Sequence, residues 1–279
     1  MKKIHAQAKS FLFLPADRLQ RIEKAMTSGA HVVVIDLEDA VKPAEKPAAR
    51  AALREKWTEL DLEHRARIAI RVNASSTTWH EDDCALVETL AGEGLGGVVL
   101  AGTESIAPLR RLAQRARDIA LLPLIESAEG LAALDVIARA PGVTRLLFGH
   151  LDFQIDLGMQ CGVDEREIDA VRLAFVMASR RAGLPGPVDG VTVDLQRMEQ
   201  LESDTQRSKR FGFTGKLCIH PNQVPTVNEA LGPAAAQVEW ARRVLEAAND
   251  QSTGAFQFEG AMVDAPVLAR ARSYLQRSF

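Results

Sequence analysis

The sequence predicts an α/β protein built as a (β/α)8 barrel of the TIM type, with a helical extension after the eighth strand. Three observations carry that expectation. Eight short apolar runs alternate with longer segments of helical period through roughly the first 220 residues. Most runs are continuously apolar and rich in β-branched residues, as strands buried on both faces are. Unusual polar residues follow the runs, at the strand ends where the chemistry of such barrels collects. An open doubly wound sheet shows a similar alternation, so the strand count favours the barrel without excluding that alternative.

The runs are Phe11–Leu14, Val32–Ile35, Ile68–Val72, Gly97–Leu100, Ile119–Ile125, Thr144–Phe148, a weak one near Val188, and Leu217–Ile219. Between them, Arg18–Ser28, Pro43–Trp57, Glu81–Leu90, Ile106–Arg117 and Glu165–Ala182 carry apolar residues at helical spacing with charges opposite. A boundary falls near Gly232-Pro233, giving a catalytic barrel over 1–232 and a helical segment over 233–279. Within that segment Ala234–Ala248 and Pro266–Arg277 are expected as helices, with Asn249–Gly254 as the loop between them.

The chain has 279 residues, 47% of them hydrophobic, and a formal net charge of -3. That balance argues against a nucleic-acid coat or a membrane-surface binder. Three cysteines with no C-x-x-C spacing argue against a disulfide framework and a structural zinc site. Met1 to Ser10 lacks the apolar run of a signal peptide, and no stretch approaches the roughly 18 apolar residues of a bilayer span. The cytoplasm is the default compartment. Gly92-x-Gly94-x-x-Gly97 matches the dinucleotide fingerprint but follows a helix and precedes a strand, the reverse of what phosphate binding needs.

Five strand ends carry the candidate chemistry: Asp36-Leu37-Glu38-Asp39, Arg71-Val72-Asn73, Glu126-Ser127, Gly149-His150-Leu151-Asp152 and His220-Pro221. Any one of them reads as a helix cap or a surface ion pair. Together they converge carboxylates on one face, where mutual repulsion is costly unless a cation or shared proton relieves it. Arg71 is the obvious fixed positive charge. Oxygen ligands in an open site point to Mg²⁺ in preference to zinc.

These residues resemble the citrate lyase beta-subunit-like family of the HpcH/HpaI aldolase/citrate lyase superfamily. The resemblance begins at Phe11-Leu12-Phe13-Leu14-Pro15-Ala16-Asp17-Arg18 and continues through Asp36–Val41, Lys46, Ala49-Arg50, Arg71–Asn73 and Glu104-Ser105. It runs on through Leu124–Ala128 with Gly130, Phe148-Gly149 with Asp152, and Asp156-Leu157-Gly158. Gly212-Phe213, Gly215-Lys216, Ile219–Pro221, Gln223, Met262–Asp264 and Pro266 complete it. The order and spacing of the set are specific, although each motif alone is weak.

The resemblance implies a modified barrel that forms a homo-oligomer, a trimer or hexamer, with C-terminal helices reaching over a neighbouring subunit. It implies Mg²⁺ on Glu126 and Asp152, with Glu38 and Asp39 nearby, and Arg71 contacting a 2-oxo acid. Asp264 would come from the swapped segment and serve as acid or base on the acetyl carbon. The implied reaction cleaves or forms a 3-hydroxy-3-carboxyacyl-CoA of the citryl, citramalyl or malyl type, giving acyl-CoA and a 2-oxo acid. Mg²⁺ would supply Lewis-acid catalysis there.

Around that centre, Gly149 and His150 are expected to shape the substrate pocket, Asp36 to hydrogen-bond locally, and His220 to fix the last loop. Arg18, Lys46 and Lys216 are candidates to reach CoA phosphates. Two departures from the family bear on the substrate. Ala101-Gly102-Thr103 stands where a Pro-Lys pair is common, and Lys9-Ser10 where Arg-Ser is. Alternative readings are a class II aldolase acting on free 2-oxo acids, a non-catalytic subunit or scaffold, and the beta chain of a multi-subunit lyase working on a carrier-protein thioester.

Overall fold

Eight parallel strands close into a barrel in chain order, and the open-sheet alternative falls away. They are β1 (Ser10–Pro15), β2 (Val32–Asp36), β3 (Ile68–Val72), β4 (Gly97–Leu100), β5 (Ala120–Ile125), β6 (Leu147–Phe148), β7 (Val188–Asp189) and β8 (Gly215–Cys218). The computed structural model describes residues 2–249 and 254–277. Strands β2 to β5 are buried along their whole length, because one set of side chains fills the barrel while the other meets the surrounding helices. The filling set alternates along the chain: Phe11, Val32 and Val34, Ala69, Val99, Ala120 with Leu122 and Leu124, Leu147, Val188 and Leu217 pack together.

The N-terminal end of the barrel is sealed. Arg145, buried just before β6, donates to the carbonyls of Ala8 at 2.5 Å and Gly186 at 2.7 Å, and to Thr214 Oγ1 at 2.6 Å. Its guanidinium also lies 5.6 Å from the centre of the Phe11 ring. Gly96 is close-packed beneath: a side chain there would meet the Ala66 carbonyl oxygen at 2.1 Å.

Element ends differ from expectation where tertiary contacts take over. β6 and β7 have two residues each. Just before the expected start of the sixth strand at Thr144, Val143 pairs with Leu121 of β5 through a single bridge. The helix Met198–Phe211 was not anticipated; its exposed face is so polar that the apolar period is faint.

Two compact units divide between Val227 and Asn228, inside the helix Gln223–Leu231 and slightly before Gly232-Pro233. The second unit is not purely helical. Its helices Ala235–Asn249 and Ala265–Arg277 are accompanied by an antiparallel hairpin, β9 (Phe256–Phe258) with β10 (Ala261–Val263). Glu259 and Gly260 turn that hairpin with φ of 49° and 80°, as a tight two-residue hairpin turn requires. Ala241, Val244, Val263 and Ala271 form this unit's own small core. Residues 250–253 of the expected loop lie outside the described residues. No helix among the described residues is long and apolar enough to cross a membrane.

Candidate active site

The alternation that fills the barrel with apolar side chains ends, one step further along several strands, in charge. After Val32 and Val34 the next inward position of β2 is Asp36. After Ala69 it is Arg71 on β3, and after Leu122 and Leu124 it is Glu126 at the end of β5. Asp36 and Arg71 are register partners on neighbouring strands. All three line one cavity at the C-terminal mouth, together with Asp39, Gly149, His150 and Asp152.

Arg71 is gripped at two edges. Its Nε and Nη2 donate to the two oxygens of Asp36 at 2.7 and 2.6 Å, while Nη1 stands 2.9 Å from Glu38 and 3.6 Å from Asp39. The guanidinium lies 4.7 Å from the centre of the Phe13 ring. Asp36 also accepts the backbone N–H groups of Glu38 and Ala40, at 2.9 and 3.1 Å. It therefore ties the loop after β2 to β3 and fixes the plane of Arg71, which is more than a local hydrogen bond. Glu38 is absent from the cavity wall; it acts from behind, through Arg71.

Glu126 is turned by backbone. The Gly102 N–H donates to its Oε1 at 2.5 Å, and Gly102 sits at φ 52°, in the left-handed region. On the other flank, a side chain at Gly149 would come within 2.7 Å of Glu126 Oε2 and 2.8 Å of its Cβ. Only glycine leaves the carboxylate where it is. Burial first, then the charges of Glu38 and Asp152, push the Glu126 carboxyl up to about 8 against the pull of Gly102. Burial and the neighbouring acids likewise push Glu38 up to about 7. Asp152 is raised by burial and by Asp39, with Arg71 opposing.

This donor set fits a hard divalent cation. Among the described residues no three His, Cys, Asp or Glu side chains form a ready-made cage. Mg²⁺ commonly binds through one or two carboxylates and completes its shell with substrate oxygens and water. Glu126 and Asp152 could provide those two carboxylates; burial first, and then neighbouring acids, raise the pKa of each.

Two residues expected at CoA phosphates are corrected. The Lys46 ammonium spends its three hydrogens on Leu37 O, Glu38 O and Asn73 Oδ1, at 2.8, 2.7 and 2.8 Å, and is buried. Lys216, also buried, donates to Gly190 O at 2.7 Å. Both brace loops that carry the site. Arg18 is exposed at the end of β1, its Nε 3.8 Å from Asp17.

His150 faces two ways. Its ring lies against Gly190, where a Cβ would come within 1.9 Å of Nδ1, and its Nε2 is 3.1 Å from Glu165 Oε1. Glu165 in turn pairs with Arg172 and, at 2.8 Å, with Arg207; Arg172 stands 3.4 Å from Asp189 at the end of β7. Glu165 and Arg172 were missed as supports of the site. The sequence signal was only that both lie in the segment following the His150 strand end. His220 accepts from Asn222 N at 3.2 Å and stiffens the last loop. In the second unit, Asp264 caps the helix Ala265–Arg277 by accepting from Val267 N at 3.2 Å.

Comparison with known proteins places this geometry. The family model described as HpcH/HpaI aldolase/citrate lyase matches residues 9–221. The chain belongs to that family. A citrate lyase subunit beta-like protein of Mycobacterium tuberculosis is 38% identical over 283 residues, covering 99% of this chain and 97% of its own. An L-malyl-CoA/beta-methylmalyl-CoA lyase of Cereibacter sphaeroides is 30% identical, covering 96% and 93%. Among solved structures, the protein CitE of M. tuberculosis in complex with magnesium, acetoacetate and coenzyme A superposes with a TM-score of 0.84. It is 36% identical and covers 98% of each chain.

Proposed function

We propose that this chain is a Mg²⁺-dependent carbon–carbon lyase that cleaves or forms a 3-hydroxy-3-carboxyacyl-CoA, interconverting it with acyl-CoA and a 2-oxo acid. The observation that carries the reading is the pair Glu126 and Asp152, held in one cavity beside the Arg71 guanidinium, with the pKa of each raised by burial and neighbouring acids. The magnesium and coenzyme A of the solved relative, and the thioester chemistry of the malyl-CoA lyase, support it.

Glu126 and Asp152 would hold Mg²⁺, which supplies Lewis-acid polarisation of the substrate's oxygen atoms. In cleavage the 3-hydroxyl gives its proton to a neighbouring carboxylate. The C2–C3 electron pair passes to the thioester's α-carbon, and C3 becomes the carbonyl of the 2-oxo acid. Arg71 stabilises the negative charge that grows on that oxygen, pre-aimed by Asp36 so that no reorganisation is needed at the moment of reaction. The α-carbon then takes a proton from a carboxylic acid, and we assign that role to Asp264 of a neighbouring copy. Condensation reverses every step.

The deciding experiment incubates the purified protein and Mg²⁺ with citryl-, citramalyl- and malyl-CoA and identifies the 2-oxo acid released. Mg²⁺-dependent release from at least one thioester is expected; none from any of them rejects the reading. Mixing Asp264→Ala with Glu126→Ala subunits tests the shared site. Rescue of two inactive parents is expected, and its absence after demonstrated subunit exchange rejects the assignment of Asp264.

A further inference from the structure

The mouth of the barrel is divided into two arcs of opposite character. Every charged group lining the cavity comes from the arc running from β2 through β3 to β5 and β6: Asp36, Asp39, Arg71, Glu126 and Asp152. The other arc, formed by the ends of β7, β8 and β1, presents Gly190, Val191, Leu217, Ile219 and Phe13. Leu124 and Phe148 continue that apolar surface below the charges.

Among the described residues the cations near the cavity are committed elsewhere, apart from Arg18, which is exposed past the end of β1 with its Nε 3.8 Å from Asp17 and does not line the cavity. Arg71 answers Asp36, Glu38 and Asp39. Lys46 has three acceptors, Lys216 donates to Gly190 O from a buried position, and His150 is engaged by Glu165. A substrate bound with its carboxylate and carbonyl toward Glu126, Asp152 and Arg71 must turn its remaining substituent onto the β7–β8–β1 arc. A methyl or ethyl group gains there by leaving water. A second carboxylate meets no counterion among the residues lining that arc, and burying an unpaired charge is strongly disfavoured.

We infer that this site selects 2-oxo acids with one carboxylate and a short alkyl substituent, the pyruvate and 2-oxobutyrate class, over dicarboxylic 2-oxo acids such as oxaloacetate. The inference rests on the lyase reading above and sharpens it. The productive thioesters are then of the citramalyl kind, and the citryl kind is a poor substrate. Val191, Leu217 and Ile219 are the specificity-determining residues.

The test condenses acetyl-CoA with pyruvate, 2-oxobutyrate or oxaloacetate in the presence of Mg²⁺. Products are separated by mass, so that pyruvate formed by decay of oxaloacetate is not miscounted. A preference in kcat/KM of about 100-fold for the monocarboxylates is expected, the scale of leaving a charge without its partner. Ile219→Arg, a substitution at a partly exposed rim position, should shift the ratio of oxaloacetate to pyruvate use upward by about tenfold, the worth of one modest charge pair. Oxaloacetate used within threefold of pyruvate, or an unmoved ratio in Ile219→Arg, would overturn the inference and leave the lyase reading standing. Failure of every 2-oxo acid, in binding by calorimetry as well as in turnover, would overturn both.

Discussion

Two clusters of buried charge meet at His150, and they are built on opposite plans. On one side Glu126, Glu38 and Asp152 crowd together around Arg71, and burial with the neighbouring acids pushes Glu126 up to about 8. On the other side Glu165 is enclosed as well, and burial works against its charge. Contacts with His150 and Arg172 more than offset that, and hold its carboxyl down at about 2. The second cluster is complete in itself: each carboxylate has its cation, and the pairing ties the segment after β6 to β7. The first, with Asp36 and Asp39 also gathered at Arg71, holds more carboxylates than cations. Unbalanced charge at a strand end is what separates a working site from a structural ion network in this barrel.

If that contrast holds, the largest effect belongs to Glu126→Gln. Activity should fall by at least about 100-fold with weakened Mg²⁺ binding, while the metal-free protein unfolds no more easily than the parent. A clear loss of stability would place Glu126 among the structural charges instead. Arg71→Lys comes next. Lysine keeps the charge but cannot hold Asp36 at two points and still face the substrate, so kcat should drop about 10²-fold. Near-normal turnover would break the assignment.

Glu165→Gln should behave in the opposite sense to Glu126→Gln. It leaves Arg172 and Arg207 without their shared carboxylate and should cost about 3–5 kcal/mol in urea denaturation. Mg²⁺ binding should weaken only modestly.

The smallest effect is in the pH dependence, and the two clusters differ in sign. A carboxyl raised from 4.5 to about 8 binds more protons folded than unfolded. The metal-free protein should therefore lose stability as pH rises from about 4.5 to 8, and Mg²⁺ should restore it. Glu165, lowered from 4.5 to about 2, contributes stability that is present above 4.5 and lost as pH falls toward 2. Denaturation midpoints at about pH 3, 5 and 8, with and without Mg²⁺, separate the two, the lower interval reading Glu165 and the upper one Glu126. Glu126→Gln should reduce the slope of the upper limb, leaving the part due to Glu38, and should not touch the lower one.

Much of this was legible in the chain, for a simple reason. Where apolar residues alternate inward along a strand, the next inward position is known, and Asp36, Arg71 and Glu126 occupy it. What stayed hidden depended on partners far apart in sequence. Asp36 reads as a local hydrogen-bonding residue until β2 and β3 are set in register and Arg71 lands beside it. Lys46 and Lys216 read as accessible candidates for CoA phosphates, because lysine is seldom buried. Only the folded loops supply the carbonyls that hold them. The β9–β10 hairpin was masked by helical segments on either side, although Phe256-Gln257-Phe258 alternates as a strand should. β6 and β7 are too short for periodicity to define.

The Arg145 seal has a kinetic corollary. With its interior filled by apolar side chains and its N-terminal end closed, the barrel leaves the site a pocket open at the C-terminal mouth, and what enters there must leave by the same opening. The small 2-oxo acid occupies the depth of the proposed site and the bulky thioester lies above it, so traffic is last in, first out. Condensation should be ordered, with the 2-oxo acid binding first, and cleavage should release acyl-CoA before the 2-oxo acid. Initial-rate product-inhibition patterns would show that sequence, and random-order kinetics would mean that the thioester does not cover the 2-oxo acid.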